Sequence, residues 1–212
     1  FDMVYQENKV FNLKLAAKEL NGLLIQPGET FSFSQAIRYA DRRTPYKDGL
    51  TVVNGRLTTA PGGGMCQISN LLFWLFLHTP LTIVERHGHA VKDFPDPPSG
   101  LPVGVDATIS EGWLDLKVKN NTDCIYQICL SFDSQHLLGR LLCSDEASYC
   151  YQIQNGKISY LRQGGEIFQQ ADVIQTRIEA SSGRCIDQRV LYQNKCRIGY
   201  PLPPHTHLIE KG

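Results

Sequence analysis

The stretch Pro61-Gly62-Gly63-Gly64-Met65-Cys66-Gln67 constrains this chain more than any other, because three consecutive glycines run directly into a long apolar segment. From Ile68 to His78 the residues are nearly all apolar, which predicts a buried helix with Cys66 at its starting edge. Glycine lets a backbone bend sharply and lets another molecule come close. A helix start carries unpaired N–H groups and the positive end of the dipole, and both favour a thiolate and a neighbouring oxyanion. The pattern is that of a nucleophilic cysteine.

The chain's 212 residues suffice for one large domain, or one domain with an appendage. Apolar residues make up 42%, enough for a core. Acidic and basic residues balance at 21 each, and no basic run interleaves with aromatics, so nucleic acid is excluded as a partner. The most apolar run, Leu71 to Leu77, is far shorter than the roughly 20 residues a transmembrane helix needs, so no transmembrane segment is expected. Phe1 to Tyr5 resemble neither a signal peptide nor a natural start, which suggests a fragment whose targeting segment has been lost. The chain has seven cysteines, an odd number, and Cys66 is the best candidate for the one left out of any pairing. Cys124, Cys129, Cys143, Cys150, Cys185 and Cys196 read equally well as three bridges or as thiols.

Along the chain, Asn12 is placed to cap a helix over about Leu13 to Asn21, with Gly22 as its terminator. Phe31 to Ser34 alternates like a strand, and Thr51-Val52-Val53 followed by Asn54-Gly55 signals a hairpin. After the cysteine helix, strands are expected at Leu81–Arg86, Val105–Ile109, Trp113–Val118 and Cys124–Leu130, with a Pro/Gly-rich loop over Asp93–Pro102 between the first two. The fold class is therefore α+β: an antiparallel sheet packed on a buried helix bearing Cys66 at its N-terminus. Beyond about His136, short strands separated by Gly and Asn turns predict a small β-rich extension with no evident chemistry, and the last residues read as a loose tail.

A cysteine nucleophile needs a base, and the base needs an orienting group. The order Cys66, then His87 and His89, then Asp106 supplies them, in the sequence of elements that papain-like and transglutaminase-like thiol enzymes use. His89 is the preferred base and Asp106 its partner, while His87 lines the pocket. Gly64 and the Gln67 amide are candidates for the oxyanion site, and Arg86 for a substrate carboxylate, ahead of Arg38, Arg42, Arg43 and Arg56. The bland alternatives are a core cysteine, a capping Asp106 and solvated arginines. A zinc site from Cys66, His87, His89 and Asp106 is a weaker alternative, and neither metal nor cofactor is expected.

Gly62-Gly63-Gly64-Met65-Cys66-Gln67, Val84-Glu85-Arg86-His87-Gly88-His89 and Gly104-Val105-Asp106-Ala107-Thr108, with Asn21-Gly22 and Pro27-Gly28-Glu29-Thr30-Phe31-Ser32-Phe33 upstream, resemble the VanW family. The resemblance implies a VanW-type domain over 1–135, a β-rich extension over 136–200 and a flexible tail over 201–212. It further implies cysteine-dependent acyl transfer on peptidoglycan stem peptides, as an L,D-transpeptidase making 3-3 cross-links or an L,D-carboxypeptidase, accessory to glycopeptide resistance. Cys66, His89 and Asp106 correspond to the family's cysteine, histidine and aspartate. The partners implied are stem peptides or their precursors, and the chemistry places the protein at the cell envelope although no export signal is visible. The competing reading is a non-catalytic peptidoglycan-binding accessory protein.

Overall fold

The computed structural model describes residues 2–53, 56–95, 100–110 and 112–210. In chain order the elements are α1 (Val4–Leu20), β1 (Leu24–Ile25), β2 (Thr30–Ser32), α2 (Phe33–Ile37), β3 (Asp48–Val53), β4 (Arg56–Pro61) and α3 (Cys66–Leu77). Then follow β5 (Thr82–Glu85), β6 (Val91–Lys92), β7 (Lys117–Lys119), β8 (Tyr126–Phe132) and β9 (Leu137–Cys143). The last four strands are β10 (Tyr149–Gln163), β11 (Glu166–Glu179), β12 (Cys185–Ile198) and β13 (Leu208–Glu210). The fold is α+β, and the chain divides into two compact units.

The first unit comprises residues 1–76, 80–87 and 107–146. It holds α1, α2, most of α3, the β3–β4 hairpin, and two antiparallel three-stranded sheets ordered β1-β8-β9 and β2-β7-β5. Ile68, Leu72, Phe73 and Phe76 of α3 are fully buried, as are Leu13, Ala16 and Leu20 of α1. The Phe31 and Phe76 rings meet at 5.4 Å between centroids in a tilted arrangement, which suits their quadrupoles. Strand β9 passes close to the helix, since a Cβ at Gly139 would press on Leu71 and Leu75. A buried, nearly all-apolar helix is what the sequence predicts for residues 68–78.

The second unit comprises residues 77–79, 88–106 and 147–212. Its sheet runs β13-β10-β11-β12-β6, with three long antiparallel strands in the middle and a short parallel strand at each edge. Where short strands separated by Gly and Asn turns are expected, Tyr149–Gln163 forms one strand, β10, carrying a register shift between Asn155 and Ile158.

Several expectations are corrected. Helix α1 begins at Val4, so Asn12 lies inside it, buried, rather than capping it. The strand expected at Phe31–Ser34 stops at Ser32, whose side chain caps α2 by accepting from the Gln35 N–H. His87, His89 and Asp106 all lie outside strands. The reason at the aspartate is visible one residue on. The Ala107 N–H donates to Asn70 Oδ1 at 2.7 Å and its carbonyl accepts from Ser69 Oγ at 2.6 Å, so helix side chains occupy the groups a ladder would need. Of Trp113–Val118 only the end is strand, because the Asp115 N–H donates to Glu85 Oε1 instead. The Asn54-Gly55 turn and residues 96–99 of the Pro-rich loop lie outside the described residues, although Val53 and Arg56 pair as a hairpin requires.

Candidate functional site

Helix α3 starts at Cys66, and the run before it is built by backbone contact. A Cβ on Gly63 would collide with the Gly49 backbone, so these two glycines permit main chain to lie against main chain. Gly64 has φ +91°, and a Cβ there would also strike Lys9. From inside α1, Asn12 fixes this arrangement: Nδ2 donates to the carbonyls of Lys47 at 2.8 Å and Gly63 at 3.3 Å, and Oδ1 accepts from the Lys47 N–H at 2.8 Å. A buried amide mid-helix is otherwise costly, and here its donors and acceptor are matched.

A cavity of about 480 Å³ opens over the glycine run and is lined by Gly62 to Cys66 together with Ser34, Arg38, Asp41, Tyr46 and Ser110. Cys66 is half-buried at its edge. Gln67 is exposed, and its N–H donates to the Gly64 carbonyl at 3.2 Å, so the amide expected to serve an oxyanion is already engaged in a tight turn. The Arg86 guanidinium lies 5.6 Å from the centre of the Phe73 ring on α3, a cation–π position. The side chain of Arg56 lies outside the described residues.

His87 belongs to a network the sequence did not reveal. Its Nε2 lies 3.0 Å from Glu85 Oε1, and Lys117 Nζ donates to Glu85 Oε2 at 2.8 Å. The Lys117 ammonium, with His87 second, holds the Glu85 carboxyl down to about 2. Beside it Asp115 is buried and accepts from Ser32 Oγ at 2.5 Å, Ser34 N–H at 2.9 Å, Ser34 Oγ at 3.0 Å and the Leu116 N–H at 2.8 Å. Asp115 thereby orients Ser34, which lines the cavity.

In the other unit, His89 and Asp106 are brought together. His89 Nδ1 lies 2.5 Å from Asp106 Oδ2, which also accepts the His89 backbone N–H at 2.7 Å. Both segments are moored to the long-stranded sheet. Just beyond His89, the Ala90 carbonyl accepts from the Arg197 N–H, and Val91 pairs with Arg197 of β12. Just before Asp106, Asn155 clasps the Val103 backbone through both N–H and C=O at 2.7 and 2.9 Å, and Tyr192 donates to the Gly104 carbonyl at 2.9 Å. The extension that looked devoid of chemistry holds the histidine–aspartate pair in place. The signal was present as Asn155-Gly156 in mid-strand, a bulge pattern.

No disulfide forms among the described residues. Cys124 donates to Asp145 Oδ2 at 3.3 Å, and that carboxylate first, then burial and Cys143, push its thiol up to about 11. Among the described residues no group of three His, Cys, Asp or Glu side chains is placed to hold a metal. No helix among them is long and apolar enough to cross a membrane.

The profile of the family described as "VanW like protein" matches residues 8–142. The chain belongs to the VanW family. Over 210 residues it is 59% identical to "Vancomycin B-type resistance protein VanW" of Enterococcus faecalis, covering 99% of this chain and 76% of that protein. Over 114 residues it is 35% identical to "Uncharacterized protein YoaR" of Bacillus subtilis, covering 54% of this chain and 36% of that protein. No solved structure matches it. The VanW match begins within α1, takes in the glycine run, α3, the Glu85 network and both His89 and Asp106, and ends within β9.

Proposed function

We propose that the chain is a cysteine-dependent acyltransferase acting on peptidoglycan stem peptides at the cell envelope, accessory to glycopeptide resistance as the name of its E. faecalis relative indicates for that protein. The observation that carries this reading is Cys66 as the first residue of a buried helix, at the edge of a cavity floored by bare glycine backbone. His89 is the general base in this reading, with Asp106 fixing the ring through Nδ1 so that Nε2 exchanges the proton. The chain order of the three groups is that of papain-like and transglutaminase-like enzymes, and the likeness proposed is of order alone. The VanW-type domain is taken as residues 1–135, with 136–200 as its extension and 201–212 as a tail.

The thiol of Cys66 gives its proton to His89, and sulfur attacks the carbonyl of the third stem residue. The C–N bond from that carbonyl to the fourth residue, D-alanine, breaks, and His89 protonates the departing amine. The resulting thioester is attacked by the side-chain amine of a second stem, which forms an amide and returns the proton to sulfur through His89. Water as acceptor gives L,D-carboxypeptidase activity instead. Gly64 and Gln67 border the reacting carbonyl, His87 lines the pocket and Arg86 meets a substrate carboxylate. A 3-3 cross-link eliminates the D-Ala-D-Ala terminus that vancomycin recognises, which ties the chemistry to resistance.

Incubating purified protein with two stem peptides, and separating the products by chromatography, tests the reading. Wild-type protein is expected to release D-alanine and form a dimer or tripeptide, and Cys66→Ser to form neither. Equal product from Cys66→Ser would refute it. Tight peptide binding without product would leave the non-catalytic binding reading in its place.

A further inference from the structure

We propose that the cavity beside Cys66 reads a zwitterionic α-amino-acid head, with Arg38 taking its carboxylate and Asp41 its ammonium. The inference rests on the acyl-transfer reading above and names the substrate class that reading leaves open.

Arg38 and Asp41 are the two charged side chains among the cavity's lining residues, they have opposite sign, and both are exposed. They stand three residues apart where the chain leaves α2. Arg38 is the C-cap of that helix, and bonds from the Ala40 N–H to Ile37 O at 2.9 Å and from the Arg42 N–H to Tyr39 O at 3.1 Å wind the segment into successive turns. The Arg38 guanidinium is steered from two sides. Its Nη1 donates to Gln35 Oε1 at 2.9 Å, and its central carbon lies 4.6 Å from the centre of the Tyr39 ring. A neutral amide and an aromatic face orient the group without neutralising it, so the remaining donors of the fork are presented to a carboxylate. Among the described residues no ion pair or hydrogen bond holds the Asp41 carboxylate, and the two charges do not close on each other.

A ligand bearing one charge would satisfy one of these groups and desolvate the other at a cost. A ligand bearing both satisfies the wall as a whole. In a stem peptide the pattern arises when the third residue has a side chain ending in an α-amino-acid centre, as in meso-diaminopimelate, whereas lysine offers the ammonium alone. The thiol attacks the carbonyl of that same third residue, so its side chain belongs in the space nearest the sulfur. A cavity of about 480 Å³ accommodates one such side chain.

The test is calorimetric titration of the full chain carrying Cys66→Ser with three tetrapeptides, which have at position three diaminopimelate, its side-chain carboxamide, or lysine. Parallel intact-mass measurements follow acylation of the protein with native Cys66. The diaminopimelate peptide is expected to bind about tenfold tighter than either analogue, since each analogue forfeits one charge-assisted contact. Arg38→Gln is expected to erase the preference over the carboxamide, Arg38→Lys to restore part of it, and Asp41→Asn to weaken all three peptides. Both positions are exposed, so the variants are expected to melt as the parent does. Equal affinity for the three peptides, no binding of any, or selectivity that survives Arg38→Gln and Asp41→Asn would overturn the proposal. Acylation with unselective binding would sink this inference and leave acyl transfer standing; selective binding without acylation would do the reverse.

Discussion

In the unit that carries Cys66, side chains reach across long stretches of sequence to hold backbone, whereas in the β10–β12 unit the backbone largely holds itself. Asn12 ties the glycine run from 51 residues away, and Ser69 and Asn70 clamp Ala107 from α3. Strands β10, β11 and β12, each of 14 or 15 residues, instead pair along most of their length, and side chains such as Asn155 and Tyr192 add tethers to neighbouring loops. The cysteine site thus depends on a few irreplaceable contacts. The histidine–aspartate pair depends on a robust scaffold and a few tethers, and substitutions should separate the two.

The largest effect is expected at Gly63. In Gly63→Ala the new methyl meets the Gly49 main chain, which cannot move aside without opening the β3–β4 hairpin. We expect a loss of about 3 kcal/mol or more in denaturant unfolding, at the upper end of overpacking costs. A near-native midpoint would mean the two glycines are not packed as described. Next comes Asn12→Ala, which removes three bonds to the Lys47 and Gly63 backbone, the one to the Gly63 carbonyl buried, and should cost about 2 kcal/mol by the same measurement.

Asn155→Ala sharpens the contrast from the other side. It removes the clasp on Val103, three residues before Asp106, at a cost of about 1–2 kcal/mol in stability. Its larger consequence should fall on the rate of Cys66 acylation by a stem peptide, while the β10–β11 amides keep their protection from hydrogen exchange. Unchanged acylation would show that the tether does not serve the His89–Asp106 pair.

The smallest effect concerns pH. Glu85 has its carboxyl held down to about 2, against an ordinary value near 4.5, chiefly by Lys117. The sign follows directly: the stabilisation is complete above pH 4.5 and fades as pH falls toward 2, because only the ionised form gains from Lys117 and His87. Glu85→Gln should therefore be less stable than the parent near neutrality and should lose less on acidification across that window. Parallel acid-unfolding curves for the two proteins would remove Glu85 from the account.

The sequence disclosed the cysteine helix because a glycine run followed by a largely apolar stretch has few other solutions. It also pointed to His89 and Asp106 as partners, and the two are hydrogen-bonded. It did not disclose why Asp106 escapes a strand, since Val105-Asp106-Ala107-Thr108-Ile109 alternates well enough for one. The deciding partners, Ser69 and Asn70, lie more than 35 residues earlier, and periodicity sees only neighbours. Asn12 misled for a related reason: it has the chemistry of a cap, and its true partners are 35 and 51 residues away. Asp115 and Glu85 carry no local signature at all, because each is defined by what it accepts from other segments. The long strands were legible in composition but were cut at Asn155-Gly156, where a bulge and a turn look alike.

The account stands on Cys66 as a nucleophile, and the direct measurement is the intact mass of the protein after brief exposure to a stem tetrapeptide. We predict a gain equal to the acylated tripeptide, located at Cys66 by peptide mapping, discharged by hydroxylamine and absent in Cys66→Ser. A protein that binds the tetrapeptide, releases no D-alanine and keeps its original mass would contradict the central claim.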